Sequence, residues 1–167
     1  MKDRALRLAQ PCLGEITRSK LGEIRENPNF DNCDSVIKFC NGKNFDGVVA
    51  LGGGSVMDLA KVVLAYLSTG KTDIIDLLAY KGNYEKSISS IFLPTTHGTG
   101  SEVTMWGTIW NMSEKKKYSI SHMNLYPDIA ILDGNLTLSL PIDISIITTL
   151  DALSHSFEAI WNKNANE

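Results

Sequence analysis

From Phe45 onward the chain alternates between short apolar runs and stretches in which apolar residues recur at helical spacing. Gly47-Val48-Val49-Ala50-Leu51 is a continuous apolar run ending in three glycines, the pattern of a buried parallel strand. After it, Val56, Leu59, Ala60, Val63 and Leu67 repeat every three to four residues, with Ser55 placed to cap a helix and Gly70 to stop it. Ile88 to Leu93 predicts a second strand, broken by Pro94 and a polar, glycine-containing loop. Met105 to Asn111 and Lys117 to Ser121 flank Met112-Ser113-Glu114 and predict a β-hairpin. Asp128 to Leu132 predicts a third strand, Asp31 to Cys40 an early helix, and Asn27-Pro28-Asn29 a turn before it. Beyond Pro141 the chain reads as helical to its end. The elements together predict an open α/β sheet followed by the start of a helical unit, and ligands of such sheets sit at the carboxyl ends of the strands.

Composition narrows the function classes. The 167 residues are 43% hydrophobic and 21% charged, ordinary for a globular domain. A net charge of −3 gives no basic field for nucleic acid, and Lys115-Lys116-Lys117 is too short a cluster to create one. Cys12, Cys33 and Cys40 form no CxxC pair, and an odd, scattered set of thiols fits a reducing compartment. No apolar run approaches the ~18 residues of a membrane span. The N-terminal MKDRALRLAQ carries charges where a signal peptide needs its apolar core. The expectation is a cytoplasmic protein with neither nucleic-acid nor membrane partners.

Three segments carry candidate chemistry. Gly52-Gly53-Gly54-Ser55-Val56-Met57-Asp58 joins a predicted strand to a predicted helix. Glycines there let a ligand approach the backbone, and the helix N-terminus offers free N–H groups with a partial positive charge, which suits a pyrophosphate. The same glycines also suit a tight turn with nothing bound. The segment is neither the Walker pattern nor GxGxxG. Pro94-Thr95-Thr96-His97-Gly98-Thr99-Gly100-Ser101-Glu102 presents hydroxyl and N–H donors suited to phosphate and ribose oxygens. Asp151 and His155, four apart on a predicted helix, project from one face, where both can meet one divalent cation or merely pair with each other on the surface.

In combination and in order, GGGSVMDLAK, TTHGTGSE and LDALSHSFEAIW resemble the phosphate loop, threonine-rich loop and metal-ligand helix of the iron-containing (group III) alcohol dehydrogenases. Pro127 to Asp133 is similar to the strand between. The resemblance covers nearly everything from Asn27 on. It implies a Rossmann-like, mostly parallel sheet with a hairpin insertion, followed by the beginning of an α-helical domain. Residues 1–140 would be the nucleotide-binding domain, without its first strand–helix unit, and 141–167 the first helix of a truncated metal-binding domain. The chain would then be a fragment, a truncated product or an isolated domain.

By the same resemblance, Gly53, Gly54, Ser55 and Asp58 would hold the pyrophosphate of NAD or NADP, and Thr95, Thr96 and Thr99 its phosphate, ribose and nicotinamide side. Lys117 falls where family members place a lysine near the cofactor. Asp151 and His155 would ligate a divalent metal, Fe²⁺ or Zn²⁺. His97 stands where the family usually has alanine and reads as a neighbour of the cofactor, and His122 matches no ligand position. No side chain is assigned as a catalytic acid or base.

The implied reaction is hydride transfer between nicotinamide and a small alcohol or aldehyde. SEVTMWGTIWN, KKYSISH and SFEAIWNKNAN further resemble the subgroup that reduces phosphonoacetaldehyde. With two metal ligands, the chain alone is expected to bind metal weakly and to show no meaningful turnover. Two other readings compete: a zinc-dependent enzyme like glycerol dehydrogenase or dehydroquinate synthase, and a non-catalytic nucleotide-binding remnant. Exposed apolar surface, including Ile160 and Trp161, is expected to favour a homodimer or further association.

Overall fold

The structure, a computed structural model, describes residues 27–85, 88–163 and 165; MKDRALRLAQ, Cys12 and Asn166-Glu167 lie outside them. In chain order the elements are α1 (Phe30–Cys40), β1 (Gly47–Gly52), α2 (Gly54–Thr69), α3 (Ile74–Ala79), β2 (Ser89–Pro94), β3 (Trp106–Asn111), β4 (Lys116–Ser121), β5 (Ile129–Ala130) and α4 (Ile142–Ile160). Each predicted element is present, with ends shifted by no more than two residues except at the C-terminal end of the last helix. At α1 the chain leaves the turn through a capping box: Asn29 accepts from the Asn32 N–H and Asn32 returns the contact to the Asn29 N–H. Such a cap stabilises a helix start by about 1 kcal/mol.

The sheet has the order β1-β2-β5, all parallel, with Gly47 opposite Ser89 and Ile91 opposite Ile129. β3 and β4 form a separate antiparallel hairpin, Trp110 opposite Lys117. The fold is therefore the expected Rossmann-like α/β arrangement with a hairpin insertion.

One expectation about α2 changes. Its N-cap is Gly53, not Ser55, because the helix already begins at Gly54 and the Ser55 hydroxyl accepts a hydrogen bond from the Asn27 N–H. Gly70 does end it, in the left-handed conformation that glycine adopts without penalty. Every residue of the helix from Leu59 to Tyr66 is buried. It lies between the sheet, α1 and the hairpin, so its whole circumference meets protein.

β1 differs from its expectation. It pairs in parallel as its composition predicts, but Ala50 is its one buried residue and Val49 is 66% exposed. α2 covers one face of the sheet; on the other, Val49, Ile91 and Ile129 line up across the three strands with Val49 and Ile129 exposed. The last helix stops at Ile160, short of the predicted continuous run to the chain end, and none of its residues is buried. Ile160 and Trp161 are exposed as expected. Among the described residues, no helix is long and apolar enough to cross a membrane.

Candidate active site

The glycine loop and the threonine loop leave the carboxyl ends of the neighbouring strands β1 and β2 and close against each other. The register forces this: Gly52 stands opposite Pro94, and the Thr95 N–H donates to the Gly52 carbonyl at 2.9 Å, carrying the parallel ladder one step into the loops. Beyond that point side chain meets bare backbone. A Cβ at Gly53 would lie 3.1 Å from the Thr96 methyl, and one at Gly54 would lie 3.1 Å from that of Thr99. The two glycines thus make room for the two threonines, which sets hydroxyls over the N-terminus of α2. Gly53 supplies no side-chain cap, and Val56 donates the first N–H within the helix, to Gly53. The N–H groups of Gly54 and Ser55 therefore face the loop rather than the helix, where they suit an anionic oxygen.

Asp58 turns the other way. Its carboxylate accepts from the Ser101 hydroxyl at 2.9 Å and from the Thr108 backbone N–H. Burial raises its pKa, and Ser101, Lys61 and Thr108 together oppose that rise. Lys61, one turn along, is fully buried. Its ammonium donates to the Ser101 carbonyl (2.8 Å), the Ser101 hydroxyl (2.8 Å), the Thr104 hydroxyl (3.1 Å) and the Trp106 carbonyl (2.6 Å). Burial pulls the Lys61 pKa down to about 8 against the opposing charges of Asp58 and Glu102. No role is assigned to Lys61 from the sequence. Its signals there were a lysine inside an apolar helical run and an acid three residues earlier.

The threonine loop also reaches α4. Gly98, at φ +125°, packs its backbone on the Thr148 carbonyl, leaving no volume for a Cβ, and Ala152 lies beside it. His97 Nε2 and Ser145 Oγ are hydrogen-bonded at 2.8 Å. The loop that covers the glycine loop is thus seated on the helix that carries Asp151 and His155. Those two side chains face the same way, Nε2 and Oδ1 3.9 Å apart and about half exposed. Two donors on one cation at ~2.1 Å sit roughly 3–3.5 Å from each other, within a small rotation of this pair. No third His, Cys, Asp or Glu completes a metal cluster among the described residues.

Lys117 is exposed on the hairpin, its ammonium 4.7 Å from the centre of the Trp110 ring. Trp110 donates to the Pro28 carbonyl and bridges Asn29, and Asn27 in turn bonds Ser55. A short chain of contacts therefore connects Lys117 to the glycine loop, without bringing it onto the loop. His122 lies apart, its ring stacked on Tyr84 at 4.5 Å and its Nδ1 accepting from the Asn124 N–H.

Comparison with known proteins places this geometry. Residues 6–134 match the family model described as iron-containing alcohol dehydrogenase. The long-chain-alcohol dehydrogenase 1 of Geobacillus thermodenitrificans is 35% identical over 146 residues, 86% of this chain and 36% of that protein. An iron-containing alcohol dehydrogenase from Thermotoga maritima superposes with a TM-score of 0.79 at 34% identity, over 88% of this chain and 40% of that one. The sulfoacetaldehyde reductase of Bifidobacterium kashiwanohense, solved with NAD⁺, gives a TM-score of 0.77 at 33% identity, over 87% and 39%. The chain belongs to the iron-containing alcohol dehydrogenase family. It spans between a third and two fifths of the length of these relatives.

Proposed function

We propose that this chain carries the nicotinamide-nucleotide site and two metal ligands of a cytoplasmic metal-dependent alcohol dehydrogenase or aldehyde reductase. The observation that carries the reading is the seat of one loop on two elements. Thr96 and Thr99 cover Gly53 and Gly54, and Gly98 of the same loop lies against Thr148, one helical turn from Asp151. A cofactor bound at the glycines and a cation bound at the helix would be held by a single segment. Residues 1–140 form the nucleotide-binding domain in this reading, and 141–167 begin a helical metal-binding domain.

The residues divide the work by their surroundings. The N–H groups at Gly53, Gly54 and Ser55 take the pyrophosphate of NAD or NADP, which suits their position at the start of a sixteen-residue helix. Thr95, Thr96 and Thr99 donate to phosphate and ribose oxygens and exclude water above them. Asp58 acts on this site through Ser101, and Lys117, exposed on the hairpin over Trp110, would reach the cofactor from that side. Asp151 and His155 supply one oxygen and one nitrogen donor to Fe²⁺ or Zn²⁺. When bound, the metal serves as a Lewis acid toward the substrate oxygen. The protein's part is to hold both reactants in register, which converts a bimolecular encounter into an oriented one.

The substrate in this reading is a small aldehyde with an anionic head, phosphonoacetaldehyde being the specific choice. SEVTMWGTIWN, KKYSISH and SFEAIWNKNAN support it, and the similar reductase from B. kashiwanohense is named for sulfoacetaldehyde, also a two-carbon aldehyde bearing an anion.

The test is a titration with NADH and NADPH, with and without Fe²⁺ or Zn²⁺, followed by nicotinamide fluorescence. Saturable enhancement that Gly53→Val or Thr96→Ala removes is the expected result. No enhancement at millimolar cofactor would overturn the reading for this chain.

A further inference from the structure

Lys61 is the most deeply buried cation described, and the reading above gives it no contact with cofactor or metal. Its surroundings are unusual for a lysine. A buried ammonium is costly unless hydrogen-bonded and paired, and this one has four oxygens within 3.1 Å and the Asp58 carboxylate three residues away. All four acceptors belong to one stretch, from Ser101 at the end of the threonine loop to Trp106 at the start of the hairpin. From there the contacts return to the cofactor loops: the Ser101 N–H donates weakly to the Thr99 hydroxyl at 3.4 Å, and Thr99 packs on Gly54. The Ser101 hydroxyl closes a second branch onto Asp58.

We infer that Lys61 is a positioning residue for the cofactor site: its buried side chain pins residues 101–106 to α2 and so fixes Thr99 and Thr96 over the glycine loop. The inference rests on the proposed cofactor site for its consequence, but its structural content is independent of any ligand. α2 is buried at every residue from Leu59 to Tyr66, whereas the loop it meets is irregular from Thr95 to Gly100. A donor at residue 61 transfers the order of the helix to that loop. Asp58 on the same helix and Glu102 on the loop are the charged groups that face it. The hairpin contributes the Trp106 carbonyl, and the segment before it the Ser101 carbonyl and the Ser101 and Thr104 hydroxyls.

Amide hydrogen exchange on the full ligand-free chain tests the inference directly, with NADH titration beside it. In Lys61→Met, amides of residues 95–106 are expected to exchange at least tenfold faster, while those of β1 and α1 keep their protection. NADH, if the wild-type chain binds it, is expected to bind at least fivefold more weakly. Should Lys61→Met fail to fold, Thr104→Val and Thr104→Ser serve instead. The first removes a hydroxyl at nearly constant shape and is expected to loosen 95–106, and the second keeps the hydroxyl and is expected to restore it. Unchanged exchange at 95–106 in Lys61→Met, or in Thr104→Val where that is the variant used, overturns the inference. If the loop loosens as expected but wild-type chain shows no NADH binding, the positioning role stands and the cofactor reading fails.

Discussion

Gly98 meets Thr148 backbone to backbone: the α-carbon of residue 98 lies so near the Thr148 carbonyl that a Cβ would occupy the oxygen's place. This contact joins the threonine loop to α4, and the His97–Ser145 hydrogen bond supports it one residue earlier. Through it the two halves of the candidate site share a boundary, although they lie about fifty residues apart in the chain. The contact is narrow, since α4 buries none of its side chains in the remainder of the described protein.

Gly98→Ala should therefore detach α4 before it unfolds the sheet. The φ of +125° already costs an L-residue about 1–3 kcal/mol, and the collision with Thr148 adds to that. Releasing the helix relieves the collision at once, and little burial opposes it. Limited chymotrypsin digestion should cleave at Phe157 and Trp161 at least tenfold faster than in the wild-type chain, which corresponds to about 1.4 kcal/mol of docking. Equal cleavage rates in the two proteins would show that the contact does not hold the helix.

The contact between Gly53 and Thr96 predicts a coupled pair. Gly53 has an ordinary φ of −80°, so alanine there meets no backbone strain, only the Thr96 side chain, its methyl at 3.1 Å and its hydroxyl at 3.3 Å. Gly53→Ala is expected to cost about 1 kcal/mol, the usual size of mild overpacking. Thr96→Ser removes the offending methyl and keeps the hydroxyl. In the double variant the loss should shrink, giving a coupling of roughly 0.5–1 kcal/mol in a urea-unfolding cycle. Strict additivity would mean that the two loops do not touch in solution.

The placement of the two donor-rich loops and of the Asp/His pair was legible because its signals are local: glycines at a strand end, a run of hydroxyls, and two candidate ligand types four residues apart on a helix. The elements were legible for the same reason. What escaped depends on long-range packing. Ser55 outranks Gly53 as a cap by propensity, yet its hydroxyl is engaged by Asn27, 28 residues away. Asp58 reads as part of the phosphate loop by motif, and nothing local reveals that its carboxylate turns to Ser101 and Thr108. Lys61 looks like a solvent-facing residue until Ser101, 40 residues on, and Trp106 of the hairpin, 45 residues on, are packed over it. The continuous run at β1 likewise says that the strand is apolar, but not that one face of the sheet stays open in this chain.

Asp151 and His155 should matter for metal and not for stability. An exposed i,i+4 pair is worth about 0.3–0.5 kcal/mol, so His155→Ala is expected to move the unfolding free energy by no more than that. Its Zn²⁺ affinity, read by competition with a chromophoric chelator, should fall at least tenfold, and Asp151→Asn should fall in the same direction. Unaltered affinity in both variants would remove the pair from the metal site.

Lys61 also sets a pH dependence whose sign is fixed by burial. Its pKa in the folded chain is about 8, against an ordinary 10.5. Between those values the unfolded chain holds a proton that the folded chain has released, so stability rises with pH there. The contribution is complete above pH 10.5 and is lost as pH falls through 8. From pH 7 to 9.5 it amounts to about 2 kcal/mol. Cys33 acts in the opposite sense, because burial pushes its thiol up to about 12 and the unfolded thiol ionises first. That effect is common to wild-type chain and Lys61→Met and cancels in their difference. Urea unfolding at pH 7 and 9.5 should therefore show the wild-type chain gaining about 2 kcal/mol relative to Lys61→Met. Parallel profiles would mean that Lys61 keeps an ordinary pKa, which would require water to reach its ammonium between α2 and the hairpin.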